Sequence, residues 1–576
     1  LGEELAPLAL QQLSGRVELR HEEGTLEVST QDLAFRTETG ARWPGGKLRY
    51  REERDGAGGM SALLLQGDRL DLQALHQLAG HLPLPASGRQ WLDRLQPAGL
   101  VEQLDLQWRA GQQPPGRWQA RGKVNGLSLR AGDSEDGRPG ISGADIDFNA
   151  SEAGGQASLQ LRQGGLEFPG VFEQPRLDFD RLQGALRWRI DGERIEVELP
   201  QLRFSNADAE GQASARWQTS DPRRSASGSR FPGQLELDAT LSRANGARVH
   251  RYLPLGVSAE ARHYVRDAVR RGQASSARFR VRGDLWDFPF AQPGSGEFSV
   301  RASLNGVELD YVPALRNGEG EPAWPALSQV DGELQIDGNS LAILKGRAQV
   351  DGIPQLRASQ VEARIPDLAH SPVLQIKGRI AGPAADALAF VNRSPLLDMT
   401  GQALAQARIT GQTQVQLQLE LPLDRVDDTQ VEGLVQFPGN DMQFTPDTPL
   451  LAGTRGSLRF SEQGFSVPQA RAQLLGGELV FQGGMAASQD SAVSFRGQGS
   501  ATAAGLRGVS EWPALAALGR VASGSTPYQV QLEFRGASTA VAVSSSLEGL
   551  AFALPAPLGK RADEALPLRF EIAPQP

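Results

Sequence analysis

The chain of 576 residues carries a formal net charge of −9 and no cysteine. Without cysteine there is no disulfide and no thiolate metal site, and the acidic balance lacks the basic stripe that nucleic-acid binding requires. With 66 glycines, 36 prolines and a mean hydropathy of −0.35, the chain reads as soluble, β-rich and full of turns; no apolar run approaches the ~18–20 residues that cross a bilayer.

From the N-terminus, Gly15-Arg-Val-Glu-Leu-Arg-His-Glu-Glu-Gly24 alternates apolar and polar residues, turns, and continues to Leu33-Ala-Phe35. A period of two marks a strand with one dry and one wet face. Gly88, Trp91, Leu92 and Leu95 then recur at helical spacing, Gly99 closes that helix, and Leu104, Leu106 and Trp108 resume the alternation. Val124-Asn-Gly-Leu-Ser-Leu129 places a glycine inside a strand, the mark of a bulge or bend; Leu304-Asn-Gly-Val-Glu-Leu309 and Leu547-Glu-Gly-Leu-Ala-Phe552 repeat it.

The opening phrase returns at Gly184-Ala-Leu-Arg-Trp-Arg-Ile-Asp-Gly192 with Ile195-Glu-Val197 and Leu202-Arg-Phe204, at Gly332-Glu-Leu-Gln-Ile-Asp-Gly338, and at Gly456-Ser-Leu-Arg-Phe-Ser-Glu-Gln-Gly464. Asp191-Gly192 and Asp337-Gly338 are hairpin signals, because the turn needs positive φ. The helical phrase also returns. Ala261, Tyr264, Val265, Ala268 and Val269 form one stripe, with Ser258 as cap and Gly272 as terminator. Weaker copies stand at Ala384–Asn392 and Val509–Leu518. Four units follow from this: 1–111 with a helix near 71–97, 112–284 with one near 258–271, 285–411 with one near 384–392, and 412–576 with one near 505–518.

The expected fold is mainly β: an elongated, twisted and curled antiparallel sheet, shaped like a groove, with about four short amphipathic helices. Some 30 to 40 strands of five to eight residues are expected, and a sheet that long must twist. Alternation places Val17, Leu19, Leu26, Val28, Leu186, Trp188, Ile195, Val197, Leu334, Ile336, Leu458 and Phe460 on the apolar face, taken as concave, with Arg, Glu, Gln and Asp opposite. Four short helices cannot cover so many strands. Either a second sheet covers the apolar face, giving a structural or adhesion protein of stacked β-sandwiches with filled cores, or the face lines a groove for a ligand. The alternation supports both equally.

No residue is assigned to catalysis, and no metal or cofactor is assigned. The six histidines form no His-Glu-x-x-His pair, and Gly559-Lys560 lacks the rest of a phosphate loop. Asp133-Ser-Glu-Asp-Gly137 lacks calcium-loop spacing and reads as a solvated loop. No Gly-x-Ser-x-Gly is present. Arg262, Arg266, Arg270 and Arg271 read as the wet face of an amphipathic helix, and the tryptophans divide between core positions and lipid contacts.

The segment from Tyr252-Leu-Pro-Leu-Gly-Val through Ala268-Val-Arg-Arg-Gly272 to Phe279-Arg-Val-Arg-Gly-Asp-Leu-Trp-Asp-Phe-Pro-Phe290 resembles the YhdP-type members of the AsmA-like superfamily. So do Gly294-Ser-Gly-Glu-Phe-Ser-Val300, Trp324-Pro-Ala-Leu327 and Leu547-Glu-Gly-Leu-Ala-Phe-Ala-Leu-Pro-Ala-Pro-Leu-Gly-Lys560. The resemblance covers most of the chain and favours the groove over the sandwich. It implies a periplasmic protein of a Gram-negative bacterium, held in the inner membrane by an N-terminal anchor that lies outside this sequence. It implies non-enzymatic movement of phospholipids between inner and outer membranes, their acyl chains in the groove, alongside TamB-like relatives and with envelope proteins as possible partners.

Overall fold

The alternating segments form strands, and the strands share one sheet. The computed structural model describes residues 8–82, 86–111, 116–486, 493–535, 538–555 and 557–572. Among these, 31 strands join one open antiparallel sheet. The strands outrun the expected five to eight residues: Arg176–Asp191 and Val269–Asp284 each run to 16. The physical reason lies in the bulges. Where the alternation slips by one residue, the chain does not end the strand but inserts an extra residue, and the apolar set returns to the same face.

Three examples show the device. In Ala98–Arg109, Val101 and then Leu104, Leu106 and Trp108 share a face across a bulge at Gln103, whose φ is 56°. In Arg117–Leu129, even-numbered Trp118, Ala120, Gly122 and Val124 give way to Leu127 and Leu129 across the Asn125-Gly126 bulge. The Gly126 N–H freed there donates to Asp145 Oδ1 at 2.9 Å, and the Gly306 N–H donates likewise to Asp331 Oδ1 at 2.9 Å. The backbone donor that each irregularity releases is thus satisfied by a carboxylate of another strand.

The chain divides into two compact units, Leu1–Arg266 with Ala274–Ala302, and Asp267–Gln273 with Ser303–Pro576. In the first, strands from Leu10–Glu22 to Gln234–Asn245 pair antiparallel in succession. Successive connections must therefore alternate between the two margins of the sheet. The two-residue turns Glu23-Gly24, Glu152-Ala153 and Gly192-Glu193 fall on one, the turn margin. Residues 68–97, 130–139, 168–175 and 246–268 fall on the other, the helix margin, with α1 (Leu72–Leu78), α2 (Ala86–Leu95) and α3 (Ala259–Ala268). The second unit repeats the division. Gly338-Asn339 and Glu462-Gln463 turn on one margin, and α4 (Ala384–Asn392), α5 (Leu396–Met399), α6 (Ala503–Arg507) and α7 (Pro513–Val521) lie on the other. Gly192 and Gly338 adopt φ of 56° and 52°, as the hairpin dipeptides require.

Two helix stops differ from expectation. Gly99 and Gly272 do not end helices; they lie inside the strands Ala98–Arg109 and Val269–Asp284. Each is a glycine because the neighbouring strand's bulge presses on it. A Cβ at Gly99 would stand 3.0 Å from Asn125 O, and one at Gly272 would stand 2.6 Å from Val307 Cα. The helical phrase and the Asn-Gly phrase of the sequence are therefore two halves of one contact.

Among the described residues three of the four buried clusters lie on the helix margins. In the first unit, Ala144, Leu161, Leu177, Phe179 and Leu182 are buried together, with Phe168, Phe172 and Tyr252 packed over them from the connections. The Tyr252 hydroxyl donates to Asp208 Oδ2 at 3.1 Å, and Arg251 pairs with the same carboxylate at 2.6 Å, tying the connection to the sheet. In the second unit, Ala387 and Phe390 of α4 cover Val350, Ile353 and Leu356, while Leu506 of α6, Leu515 of α7 and Trp512 just before α7 pack onto Leu474, Leu479, Tyr528 and Val541. Leu161 is fully buried and Ile190 is 38% exposed. Leu161→Ala is therefore expected to destabilise the protein by about 2–5 kcal/mol, and Ile190→Ala by less than about 1 kcal/mol. Urea denaturation followed by tryptophan fluorescence compares the two.

Candidate functional site

In an antiparallel sheet, residues directly opposite one another share a face, so a row of them can be followed across strands. In the first unit one such row runs Leu19, Val28, Tyr50, Leu65, Leu106, Ala120, Ala150, Gly155, Trp188, Val197, Trp217 and Leu235. It crosses twelve strands, and at every step the two residues pair directly across the backbone ladder. It contains no charged residue. In the second unit Leu334 faces Ile343, then Ala363, Ile376, Leu419 and Val431. A neighbouring row runs Gly378, Leu417, Gly433, Phe460, Phe465 and Met485.

The twelve residues expected on this face stand in these strands, with Leu26 opposite Glu52, Leu186 opposite Ala157, Ile195 opposite Ile190, Ile336 opposite Leu341, and Leu458 opposite Val435. Val17 and Leu19 are 58% and 65% exposed, and the other ten are half-buried. None belongs to the fully buried core. Large apolar side chains in this number, held in register and left half open, form a continuous apolar surface.

Aromatic rings on this face lie down rather than stand up. A Cβ at Gly155 would stand 2.6 Å from Trp188 Cζ2, and one at Gly433 would collide with the Phe460 ring. The cross-strand glycine leaves the space into which each ring folds. That keeps the surface low while the ring still covers backbone.

Three polar residues on the apolar face were missed by sequence reading. Tyr50, Glu52 and Arg54 share one face of the strand Leu48–Arg54 with Leu48. Glu52 is 6% exposed, accepts from the Tyr50 hydroxyl at 2.8 Å and pairs with Arg54 at 2.6 Å. Burial, followed by that hydrogen bond to Glu52, pushes the Tyr50 hydroxyl up to about 12, so it stays protonated as the donor. The local sequence is polar on both faces and gives no period to read. The opposite face of the sheet carries cross-strand ion pairs, Arg49 with Glu27 at 2.9 Å, Arg121 with Asp105 at 3.0 Å and Lys345 with Glu333 at 2.7 Å. Such exposed pairs are each worth about 0–1 kcal/mol and mark a wet surface. The Arg280 hydrogen bond holds the Asp238 carboxyl below its usual range on that same face.

The apolar face is not open throughout. In the second unit Phe444 reaches from its connection over Phe495 and Phe534, with ring centroids 6.0 and 5.6 Å away, and Ala403 joins Val467, Ala470 and Val493 beneath it. There the chain fills the face with its own side chains.

The reading of the arginines needs correction. Arg262 is buried, donating to Leu255 O and Val257 O and pairing with Glu173 at 3.2 Å, because the segment before α3 folds back over it. Arg270 and Arg271 lie in a strand rather than on a helix, and Arg270 pairs with the buried Asp310. Asp133–Gly137 is exposed, as a solvated loop should be, and Asp133 Oδ1 accepts from Asp136 N at 2.7 Å. His76, His263 and His370 each sit beside one carboxylate, Asp93, Glu173 and Asp367. Among the described residues no three metal-ligating side chains gather, and no helix is long and apolar enough to cross a membrane.

A family model described as "YhdP protein" matches residues 1–576, and the chain belongs to that family. It is 24% identical over 562 residues to a protein of Escherichia coli (strain K12) described as "Intermembrane phospholipid transporter YhdP". The match covers 93% of this chain and 41% of the relative, so the chain spans under half the length of that protein. No solved structure matches.

The ring-on-glycine contact is open to test. Gly433→Ala is expected to cost about 1–3 kcal/mol, because the Phe460 ring must rise off the sheet. In a Phe460→Ala background the same change costs little. A double-mutant cycle read by denaturation measures the coupling; additive effects would show that the ring does not depend on the glycine.

Proposed function

We propose that this member of the YhdP family moves phospholipid without covalent chemistry, its apolar sheet face serving as the wall of a groove in which acyl chains travel while headgroups stay in water. The observation that supports this best is the uncharged twelve-strand row from Leu19 to Leu235, held in register and left half exposed. Each methylene removed from water is worth about 0.8 kcal/mol, so a chain of about 16 carbons on such a wall gains on the order of 10 kcal/mol. No step needs a nucleophile or a metal. By likeness to the E. coli relative, described as an intermembrane transporter, the lipids pass between membranes; the inner and outer membranes as end points, the periplasm as the space crossed, attachment to the inner membrane and partner proteins in the envelope belong to the same proposal.

A second reading, a structural protein with a filled apolar face, draws on the cluster beneath Phe444. Organic extraction and mass spectrometry of the purified protein separate the two. Co-purified phospholipid supports the conduit, and lipid-free protein overturns it. Ile336→Asp and Leu458→Asp each place a lone charge on the wall. Both are expected to reduce phospholipid transfer between vesicles at least tenfold while the far-ultraviolet circular dichroism stays that of the parent. Undiminished transfer would show that these residues do not line the path.

A further inference from the structure

Resting on that reading, we infer that the lipid path of the first unit has a fixed sidedness: phospholipid headgroups emerge along the turn margin, where Trp108, Trp118, Trp188 and Trp217 hold the boundary between acyl chain and phosphate.

The first support is a gradient of burial. Along the strand Arg176–Asp191, which runs from the helix margin to the turn margin, Leu177, Phe179 and Leu182 are 7%, 9% and 2% exposed. Leu186 and Trp188 are then half-buried, and Ile190 is 38% exposed. The strand Arg117–Leu129 runs the opposite way: Trp118 and Ala120 near the turn margin are half-buried, Val124 in mid-strand is buried, and Leu127 beyond it is half-buried against the cluster of Leu161 and Leu182. Connections pack over the buried cluster at the helix margin, so an amphiphile finds more room towards the turn margin, where the 219–233 connection lays Phe231 on Trp217.

The second support is the placing of the indoles. Trp108 is the penultimate residue of Ala98–Arg109, Trp118 is the second of Arg117–Leu129 and faces it directly, and Trp217 is the penultimate of Ala209–Gln218. Trp188 stands in the last four of its strand. All four therefore fall on the turn-margin side, although their strands alternate in direction. Indole is the side chain that settles where hydrocarbon meets water, with its ring in the former and its N–H towards the latter. At Trp217 the turn-margin connection fixes the ring: it stacks 6.1 Å from Phe231, and its Nε1 donates to Pro232 O at 2.9 Å.

The third support is the charge beyond the rings. Arg54 ends its strand at this margin on the apolar face, paired with Glu52 and with its side chain 58% exposed, and the Arg230 guanidinium lies 6.0 Å from the Phe231 ring centroid. Apolar residues, then indoles, then guanidinium groups follow one another outward. That is the order of acyl chain, glycerol and phosphate in a phospholipid.

The test uses the whole protein with no substitution. It is loaded from vesicles of phosphatidylethanolamine and phosphatidylglycerol containing a trace of lipid with a photoreactive diazirine, placed either on the headgroup or at the acyl terminus. After irradiation, peptide mass spectrometry locates the adducts. The headgroup probe is expected to mark peptides of the turn margin, around 52–61, 190–196 and 217–234, at least fivefold more than those of the helix margin at 130–139 and 168–175. The acyl-terminal probe is expected to mark mid-strand residues. Equal headgroup labelling of both margins, or an excess on the helix margin, overturns the sidedness while leaving lipid binding intact. Absence of adducts from both probes means that no lipid is held, which overturns the proposed function and this inference with it.

Discussion

Cross-strand register is the constraint on which everything else depends. A strand has a side-chain period of two, so a slip of one residue between neighbours would send a whole apolar set to the wet face. The row from Leu19 to Leu235 survives eleven successive pairings only because every irregularity is matched by a bulge. Gln103 and Gly126 illustrate the economy of the device. One residue enters a left-handed conformation, the strand bends and twists locally, and Leu104 and Leu127 return to the face that Val101 and Val124 occupy. The bend and the preservation of the surface are one event.

Much of this was legible in the sequence, and the reason is periodicity. Alternation in Gly184–Gly192 and Gly456–Gly464 marks strands without reference to anything distant, and Asp191-Gly192 and Asp337-Gly338 carry their turn geometry locally. The glycines inside Val124–Leu129 and Leu304–Leu309 declare bulges for the same reason. Gly99 and Gly272 were misread as helix stops because their cause lies across the sheet: each yields to a backbone bulge in a strand more than twenty residues later. Strand lengths were underestimated because a phase slip looks, in one dimension, like an ending. Glu52 was invisible on the apolar face because Arg51, Glu52, Glu53 and Arg54 are charged on both sides of the strand, and only pairing with Leu26 and Leu63 reveals which way it points. Arg262 sits at a helical position that faces water in an isolated helix. The backbone carbonyls of Leu255 and Val257 that bury it come from the preceding turn.

The open apolar face was legible in part. Sequence alternation identifies which residues share a face, but not whether anything covers them, and the open groove and the filled sandwich share one binary pattern. What decides between them is exposure, and exposure is not encoded in the strands. It is set by the connections.

That dependence can be made quantitative in kind. A two-residue turn such as Glu152-Ala153 returns the chain at once and has no side chains to spare for covering the sheet. Connections such as 68–97, 246–268, 384–411 and 503–521 are long enough to form helices, and an amphipathic helix must bury its stripe against something. The apolar face beside it is the nearest partner. Each therefore stoppers the part of the face that it can reach: Ala387 and Phe390 stop at Val350, Ile353 and Leu356, and Trp512 and Leu515 stop among Leu474, Leu479 and Tyr528. Phe444 extends the same logic without a helix, its connection being just long enough to lay one ring across Phe495 and Phe534. In the first unit the connections that carry helices fall on one margin, by the arithmetic of antiparallel strands, so cover accumulates there, while on the other margin 219–233 lays Phe231 on Trp217 and the two-residue turns leave the strands beside them half bare. Openness at Leu186, Trp188 and Val197 is then no failure of packing. It follows from the two-residue turns Glu152-Ala153 and Gly192-Glu193, which have no side chains to fold back over the strands they join.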